Sequence, residues 1–565
     1  MNAVNRRLNS YILLFYSLFF VACTKNSNEH SLFTVKDENA TGIHFVNRLD
    51  ADPSFNLFSY MYYYNGAGVG AGDFNNDGLI DLFFAANRSG NALYLNKGNL
   101  QFEDITTTSG IVQDSGWNTG VSVVDINNDG MLDIYVCQVG NYKILKGRNH
   151  LYICKRIDEN GMPHYEEEAS RYGLDFSGYS THAAFLDYDK DGDLDMFLLN
   201  HSVNHDGNYA PRANFEGQYD SLVGQRLYRN DQLQHGDSLV QRFTDVTKIT
   251  GIRGTKIGYG LGVAIADINM DGWQDIYVGN DFHENDYLYI NQKDGTFKDE
   301  STKQLMHTSQ FSMGVDVADI NNDAFPEIIS MDMLPYDPYM LRRSLSEDDY
   351  NIFQQKLLYG YHYQYARNNV QLNHHNGTFS EIGQYTGLFA TDWSWSALWM
   401  DFNNDGNKDL FVTNGIPKRM NDIDYINFVS GEELQQKLRT NGIQQKDLAL
   451  IEKFPSIKLP NQFFVNKGTL QFDNITHDIS KNPLTFSNGA VYADLDSDGD
   501  LDIVVNNIND PALVYENNSI SKKSTSDFVK INLNGYPNNQ QAIGAKLMLF
   551  EGNKIGRVKN LEKLD

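Results

Sequence analysis

Oxygen-bearing side chains recur at a fixed spacing in seven nonapeptides of this 565-residue chain. The first reads DFNNDGLID over residues 73–81, and further copies begin at Asp125, Asp187, Asp267, Asp319, Asp401 and Asp494. Positions 1, 3, 5 and 9 carry acidic or amide oxygens, and position 6 is Gly in six of the seven copies. Because chance does not produce seven matches to one five-point pattern, the copies must share one chemistry.

That chemistry is the binding of a hard cation. Ca²⁺ takes six to eight oxygen ligands at about 2.3–2.6 Å. Alternate side chains of a tightly curled loop converge on one point, position 7 can add its backbone carbonyl, and Gly at position 6 permits the sharp bend. We therefore predict up to seven Ca²⁺ sites. The predicted ligands are Asp73, Asn75, Asp77, Asp81, Asp125, Asn127, Asp129, Asp133, Asp187, Asp189, Asp191, Asp195, Asp267, Asn269, Asp271, Asp275, Asp319, Asn321, Asp323, Glu327, Asp401, Asn403, Asp405, Asp409, Asp494, Asp496, Asp498 and Asp502.

The fifth nonapeptide is the weakest of the predicted metal sites. Ala324 replaces the Gly, Pro326 stiffens the turn, and Glu327 is longer than the Asp at the ninth position of the other copies. We expect low or no Ca²⁺ occupancy in this loop, which anomalous scattering from a calcium-soaked crystal can test.

The flanks of the nonapeptides predict strands. An EF-hand loop needs a bidentate Glu at position 12 and a helix on each side. Position 12 of the first copy is Phe84, and the flanking runs are short, apolar and rich in β-branched and aromatic residues. Two more strand-like runs follow in each unit, such as 93–96 and 102–106, and the shortest interval between copies is 52 residues. Four strands at this period predict a propeller blade.

The predicted fold class is all-β, a seven-bladed propeller over residues 31–532 with helical insertions. Each Ca²⁺ loop joins the first and second strands of a blade. The segment 33–37, followed by Thr41-Gly42-Ile43, matches the outer-strand segment of later units. We expect the seventh blade to borrow this orphan strand and close the ring, which removes exposed sheet edges.

At these residues the sequence resembles the FG-GAP (VCBS-like) repeats of integrin α-subunit propellers. Gly260 follows Tyr259 where that motif has Phe-Gly, and residues 278–280 stand where it has Gly-Ala-Pro. The chain more closely resembles bacterial propeller proteins of the cartilage-acidic-protein type, which end in an ASPIC/UnbV domain. Residues 542–546 resemble that domain, so we expect 533–565 to be its truncated start. The resemblance implies calcium binding and extracellular recognition, and it does not fix a ligand.

The face opposite the Ca²⁺ loops carries the candidate ligand residues. An aromatic residue usually stands eight positions before each loop, and the candidates are Trp117, Tyr179, Tyr259 and Trp393. Such aromatics suit a protein or glycan ligand, although their regular repetition equally fits packing between blades. Long insertions, roughly 201–225, 333–368 and 414–460, leave from the same face. Because the insertions are irregular, they are the better candidates for recognition.

Composition and motifs favour a binding or adhesion module. The formal net charge of −27 repels phosphates and argues against a nucleic-acid partner. The sequence contains no GxSxG elbow, no HExxH and no phosphate-binding glycine loop, so we expect no enzymatic activity. The alternative is a polysaccharide-cleaving lyase or hydrolase on a propeller scaffold, since paired carboxylates could stand among the many acids.

The N-terminus predicts export. Arg6 and Arg7 precede an apolar run over residues 11–22, which is too short to span a bilayer but suits a signal peptide. The run ends at Val21-Ala22-Cys23, which resembles a lipobox, so residues 1–23 are the predicted lipoprotein signal and Cys23 the lipidation site. We expect a bacterial envelope protein that is held at the outer membrane by its lipid alone. Cys137 and Cys154 could form a disulfide or remain buried thiols.

Overall fold

The computed structural model describes residues 31–113, 116–203, 210–235, 238–344, 347–432, 434–436, 444–520, 528–550 and 558–563. The predicted signal peptide and Cys23 lie outside these residues. Among the helices described, none has the length and apolar character needed to cross a membrane.

Seven four-stranded antiparallel sheets follow one another along the chain. In six of them the strands pair in chain order, as the short apolar runs of the sequence predict. The structure thus confirms the seven-bladed β-propeller. The strands, blade by blade, are Val69–Gly72, Asp81–Phe84, Ala92–Asn96 and Phe102–Asp104; Trp117–Val124, Asp133–Val139, His150–Ile157 and Pro163–Glu167; Ser180–Leu186, Asp195–Asn200, Arg226–His235 and Ser238–Asp245; Gly260–Ala266, Asp275–Asn280, Tyr287–Asn291 and Phe297–Asp299; Val315–Ala318, Glu327–Ser330, Asn369–Asn373 and Phe379–Glu381; Ser394–Met400, Asp409–Asn414, Gln462–Asn466 and Phe472–Asn474; Ser487–Ala493, Asp502–Asn507, Leu513–Asn517 and Phe33–Lys36.

The seventh blade is closed by the N-terminal strand. Phe33–Lys36 pairs antiparallel with Leu513–Asn517, with Phe33 opposite Asn517 and Lys36 opposite Val514. Lys36 also forms an ion pair with Glu516 at 2.7 Å. This pairing confirms that the orphan strand completes the ring, so the two ends of the propeller are held in one sheet.

The hydrophobic core is divided among the blade interfaces. Seven clusters of buried apolar side chains each join two neighbouring sheets. For example, Tyr135 and Leu151 of blade 2 pack with Phe185 and Met196 of blade 3. Cys137 and Cys154 are both buried free thiols and lie in different clusters. Blade-to-blade packing, rather than a disulfide between these two residues, therefore holds the ring together.

One helical turn follows the outer strand of every blade, and five of these turns end at a Gly with a left-handed backbone, such as Gly110 at φ 90°. That turn explains the recurring Thr-Gly or Ser-Gly pair, since Gly adopts positive φ without a steric cost. The turns are Glu38–Thr41, Thr106–Ser109, Ala169–Tyr172, Thr247–Thr250, Ser301–Gln304, Gly383–Thr386 and Thr476–Asp478.

The remaining elements lie in the connecting segments and at the C-terminal end. Two helices and one short strand belong to the blade 5 insertion, and this strand pairs in parallel with another that precedes blade 5. Further helices belong to the N-terminal segment and to the insertions of blades 3 and 6. These elements are Pro338–Arg343, Tyr350–Leu358, Thr308–Ser309, Gln364–Tyr365, Met61–Tyr64, Arg212–Asn214, Ile423–Val429 and Gln445–Lys453. After the propeller, Lys546–Phe550 pairs antiparallel with Val558–Lys563.

Candidate metal loops and ligand cavity

All seven nonapeptides lie between the first and second strands of a blade, so they share one face of the ring. In blade 2, Val124 pairs with Asp133, which places the loop at the hairpin bend. Asp125 accepts hydrogen bonds from the backbone N–H groups of Asp129 (3.1 Å) and Gly130 (2.9 Å). Asp129 in turn accepts from the N–H of Met131 at 3.0 Å. These bonds curl the loop so that its side-chain oxygens face inward.

The ninth residue anchors each loop to the sheet. Asp133 accepts from the backbone N–H of Ile126 at 3.1 Å and from that of Cys154, on the third strand, at 2.8 Å. Burial raises the pKa of Asp133 to about 8, and the two backbone hydrogen bonds only partly oppose this effect. Burial likewise raises the pKa of Asp275 and Asp502 to about 8. A neighbouring cation would offset the cost of ionising such a carboxyl group.

The third and seventh loops fit a hard cation best. Ligand oxygens of three acids in each loop lie within 4.8 Å of one another. In both loops, one oxygen of the first-position and one of the seventh-position carboxylate is buried without a hydrogen-bond partner among the described residues. Unpaired buried carboxylate oxygens are what a bound Ca²⁺ satisfies. The clustered acids are Asp187, Asp189 and Asp195, and Asp494, Asp496 and Asp498; the seventh-position acids are Asp193 and Asp500.

Two features of the loops were missed from the sequence. The side chains of Asp193 and Asp500 lie at position 7, for which we predicted only a backbone ligand; the fifth acid in these two nonapeptides was the available signal. Position 4 is also left-handed in every loop, for example Lys190 at φ 59° and Met270 at φ 60°. Asn, which tolerates this conformation better than most residues, occupies position 4 in four of the seven loops and was the available signal, although Lys, Met and Ser occupy it in the other three.

The fifth loop is engaged by a histidine of its own blade. Ala324 adopts φ 74°, a left-handed conformation that disfavours a side chain. The His375 ring stacks on Phe325 at 3.9 Å, and its Nε2 lies 2.9 Å from Asp323 Oδ2. One carboxylate oxygen of the loop is therefore engaged by an imidazole. Low cation occupancy in this loop stays a prediction.

A C-terminal segment lies across the metal-loop face. Asn128 of the second loop donates to the Asn538 carbonyl at 2.6 Å and accepts, through its own carbonyl, from Gln540 Nε2 at 2.9 Å. Lys546 Nζ forms an ion pair with Asp267, the first residue of the fourth loop. This ammonium group therefore competes for a carboxylate that we assign to a cation.

On the opposite face, the four candidate aromatic residues are buried in one hydrophobic cluster. Trp117 packs against Phe55 at a ring distance of 4.9 Å, and Tyr179 lies 5.6 Å from the His201 ring. Tyr259 contacts Phe282 at 5.1 Å. The cluster includes much of the N-terminal segment 49–64, which crosses this face before the first blade begins. Of the four, Trp393 lines the cavity described next, and the other three do not.

A cavity of about 540 Å³, the aromatic cavity, opens on this face. Its wall combines the N-terminal segment 57–65, the ends of blade strands and the blade 6 insertion, and the exposed side chain of Lys143 also lines it. Such a volume suits a small ligand. Its aromatic lining consists of Phe58, Tyr60, Tyr62, Tyr142, Phe282, Phe311, Trp393, Trp395 and Tyr425.

Three of the polar groups in the wall of the cavity are buried among these rings. Asp281 follows the second strand of blade 4 and accepts from Tyr62 Oη at 3.0 Å and from the Phe282 backbone N–H at 2.8 Å. Burial raises the pKa of Asp281 to about 7. The amide of Asn421 and Nε1 of Trp393 are buried and have no hydrogen-bond partner in the described part of the chain. These groups offer both donors and acceptors to a ligand.

Ion pairs fix the chain on both sides of Asn421. Arg419 Nη1 lies 2.7 Å from Asp392 Oδ1, and both side chains are 1% exposed. On the other side, Asp422 pairs with Arg343 of the blade 5 insertion at 3.0 Å. Asp392 also accepts from the backbone N–H of Trp393 at 2.7 Å. The sequence did not single out Asn421 or Asp281; a polar residue directly after a second strand, as at Asp281 and His201, was the one available signal.

Comparisons with known proteins agree with the fold. The FG-GAP-like repeat family matches residues 73–136, 267–330 and 357–412. Cartilage acidic protein 1 of Xenopus tropicalis is 26% identical over 268 residues, which is 46% of this chain and 36% of that protein. Integrin alpha-6 of Gallus gallus is 34% identical over 133 residues, 21% of this chain and 11% of that protein. The matched regions thus span about a third or less of these relatives' length.

Solved structures show a weaker likeness. A lectin of Agrocybe aegerita, studied for its recognition of non-reducing terminal N-acetylglucosamine, has a TM-score of 0.37 and 14% identity, covering 78% of this chain and 88% of that one. BBS1N, solved with ARL6DN, has a TM-score of 0.39 and 9% identity, covering 88% of this chain and all of that one. The fold assignment rests on the strand pairing instead.

Proposed function

We propose that this chain, an FG-GAP-repeat β-propeller homologous to cartilage acidic protein 1 and integrin α-subunits, is a calcium-stabilised binding or adhesion module. In this proposal the seven metal loops stiffen one face, and the opposite face recognises an extracellular protein or glycan. The chain works outside the cytoplasm, at a bacterial cell envelope, held to the membrane through lipid on Cys23 alone.

The calcium part of the proposal is supported by the donor chemistry of the loops. Integrin-like FG-GAP propellers generally bind divalent cations, and the acidic clusters here supply hard oxygen donors. Asp187 and Asp494 would hold Ca²⁺ through oxygens that lack a hydrogen-bond partner among the described residues. The bound ion would neutralise carboxylates that otherwise repel one another at the hairpin bends.

The recognition part is carried by one observation, the aromatic cavity with the unpaired amide of Asn421 in its wall. A monomeric core gains nothing from leaving a buried amide unpaired, because such a group costs free energy until a partner satisfies it. The ion pairs of Arg419 and Asp422 hold the amide in place. A preformed cavity with few, fixed polar groups is the usual form of a binding site.

A binding screen tests this function directly. The exported protein, applied to protein and glycan arrays in 1 mM Ca²⁺ (on the order of typical extracellular module affinities), is expected to bind at least one class of ligand. Excess chelator should abolish binding at temperatures at which the calcium-free protein is unfolded and the calcium-bound protein is still folded. The variant Trp395→Ala, which opens the wall of the cavity, should bind the ligand more weakly, while its calcium-dependent shift in melting temperature stays the same as that of the parent. If the arrays show no ligand and a digestion screen shows cleavage of a polysaccharide, the alternative of a polysaccharide-cleaving lyase or hydrolase would be supported instead.

A further inference from the structure

The amide of Asn421 is matched to a partner that both accepts and donates hydrogen bonds. Its Nδ2 and Oδ1 are each buried without a partner in the part of the chain that the structure describes, and the residue is 7% exposed. A purely cationic ligand would leave the Nδ2 donor without an acceptor, and a purely anionic ligand would leave the Oδ1 acceptor without a donor. A hydroxyl group satisfies both, because it donates one hydrogen bond and accepts others.

Two further buried polar groups extend this pattern across the cavity. Nε1 of Trp393 is a further donor without a partner among the described residues, and it can only donate. Asp281 supplies carboxylate oxygens on the side of blade 4, where Tyr62 and the Phe282 backbone already donate to it. The ligand must therefore present several donors and acceptors that point in different directions.

The aromatic rings define the rest of the ligand. The ring centroids of Phe282 and Phe311 lie 6.1 Å apart, with an angle of 84° between the ring planes. Tyr425, from the blade 6 insertion, also lines the cavity. Rings of this kind pack on flat apolar surfaces. A sugar combines an apolar C–H face with hydroxyl groups around its edge. An alkylammonium ligand would use the rings and Asp281, but it would leave the donors of Asn421 and Trp393 unpaired.

We infer that the aromatic cavity binds the ring of a neutral sugar, with Asn421 and Trp393 hydrogen-bonded to its hydroxyl groups. This inference rests on the proposed function, because it names the ligand class of the same face. The volume of about 540 Å³ suits a terminal sugar unit rather than a long chain segment.

The test combines a glycan array with calorimetry on the sugar that the array selects. Asn421→Leu keeps the size of the side chain and removes both hydrogen-bonding groups, and Trp393→Phe removes the indole N–H. Each should weaken sugar binding by about tenfold or more, as expected for a lost buried hydrogen bond. Tyr385→Phe, at an exposed residue of the helical turn Gly383–Thr386, is the control and should bind sugar like the parent.

Thermal stability separates a binding role from a structural one. Because the Asn421 amide has no partner within the described residues, Asn421→Leu should melt at the same temperature as the parent or higher. A large fall in melting temperature would show that the amide is structural and would overturn the assignment.

The arrays distinguish failure of this inference from failure of the proposed function. Binding to proteins but to no glycan, with loss in Asn421→Leu, would refute the sugar while keeping the recognition face. Sugar binding that both cavity variants leave unchanged would place the sugar elsewhere. Binding to neither array would remove both proposals together.

Discussion

Removal of calcium should lower the free energy of unfolding of the propeller by an amount that depends on how many loops bind Ca²⁺ strongly. The third and seventh loops each contain buried carboxylate oxygens without partners among the described residues, so we count only these two as strong sites. A site at 100 times its dissociation constant stabilises the folded state by about 2.7 kcal/mol. Two such sites give about 5 kcal/mol, which equals the whole stability of many domains.

The corresponding shift in melting temperature follows from the size of the fold. Unfolding entropy of about 2.1 cal/mol/K per residue, over about 500 residues, amounts to about 1 kcal/mol/K. A loss of about 5 kcal/mol should therefore lower the melting temperature by about 5 °C. Occupancy of further loops would enlarge the shift, so this value is a lower bound.

Scanning calorimetry with Ca²⁺, with excess chelator and with Ca²⁺ restored measures this shift. Two matched variants, each at position 5 of its nonapeptide, make the assay specific for one loop. Asp191→Ala in the third loop should lose about 2.7 kcal/mol of the calcium response, while Asp323→Ala in the fifth loop should keep all of it. In chelator, Asp191→Ala should melt close to the parent, because relief of the repulsion between Asp191 and Asp193 offsets the lost hydrogen bond from the Asp193 backbone N–H (3.1 Å).

One result would refute the reasoning behind these numbers. If chelator leaves the melting curve of the parent unchanged, the oxygens of the third and seventh loops do not hold a cation that stabilises the fold. An equal calcium response in the parent and in Asp191→Ala would place the stabilising ion outside the third loop.

Three further predictions follow from single side chains. Ala324→Gly should raise stability by about 1 kcal/mol, because it relieves a left-handed backbone at φ 74°; an unchanged urea midpoint would contradict this. Lys546→Ala should increase the Tb³⁺ affinity of the fourth loop, read through luminescence sensitised by Trp273, because it frees Asp267; Trp273→Phe is the control for that signal. Burial raises the pKa of Asp281 in the folded protein to about 7, and its titratable neighbours are Tyr62 and Asp332. The contribution of Asp281 to the free energy of unfolding should therefore fall as the pH rises from 4 to 7. Asp281→Asn should remove that part of the pH dependence, on the order of 4 kcal/mol, and equal urea-unfolding profiles of the two proteins would refute it.

The repeated part of the fold was predictable because each signal is local. The spacing within a nonapeptide fixes a hairpin bend, and short apolar runs on either side fix the strands. Closure by Phe33–Lys36 was predictable because this segment repeats the pattern of the other outer strands, although its partner Leu513–Asn517 is distant in sequence. Because the pattern occurs seven times, a single exception did not obscure it. Ala324 replaces the Gly at position 6 but keeps the left-handed backbone conformation of the other loops.

The ligand side was predictable only as a face. Strand direction and connection order place the insertions opposite the metal loops, but contacts within the aromatic cavity join residues far apart in sequence. Tyr62 and Asp281 are 219 positions apart, and Arg343 reaches Asp422 from another insertion. Trp117, Tyr179 and Tyr259 also stand at a regular position, yet Phe55 of the crossing segment 49–64 packs on Trp117, and Tyr142 and Phe282 contact the other two. No local pattern predicts such a crossing segment.

This division between repeated and irregular sequence has a consequence for specificity. A residue type that recurs at the same position of every blade produces the same feature seven times. The repeats can therefore encode cation binding and packing between blades, but a single ligand site needs residues that occur only once. The aromatic cavity breaks the sevenfold pattern because the segment 57–65 and the blade 6 insertion each occur once. Replacing residues 414–460 with a short hairpin should therefore abolish ligand binding while the calcium-dependent shift in melting temperature persists. Loss of both properties together would mean that the insertion is part of the scaffold, and the separation of roles between the two faces would fail.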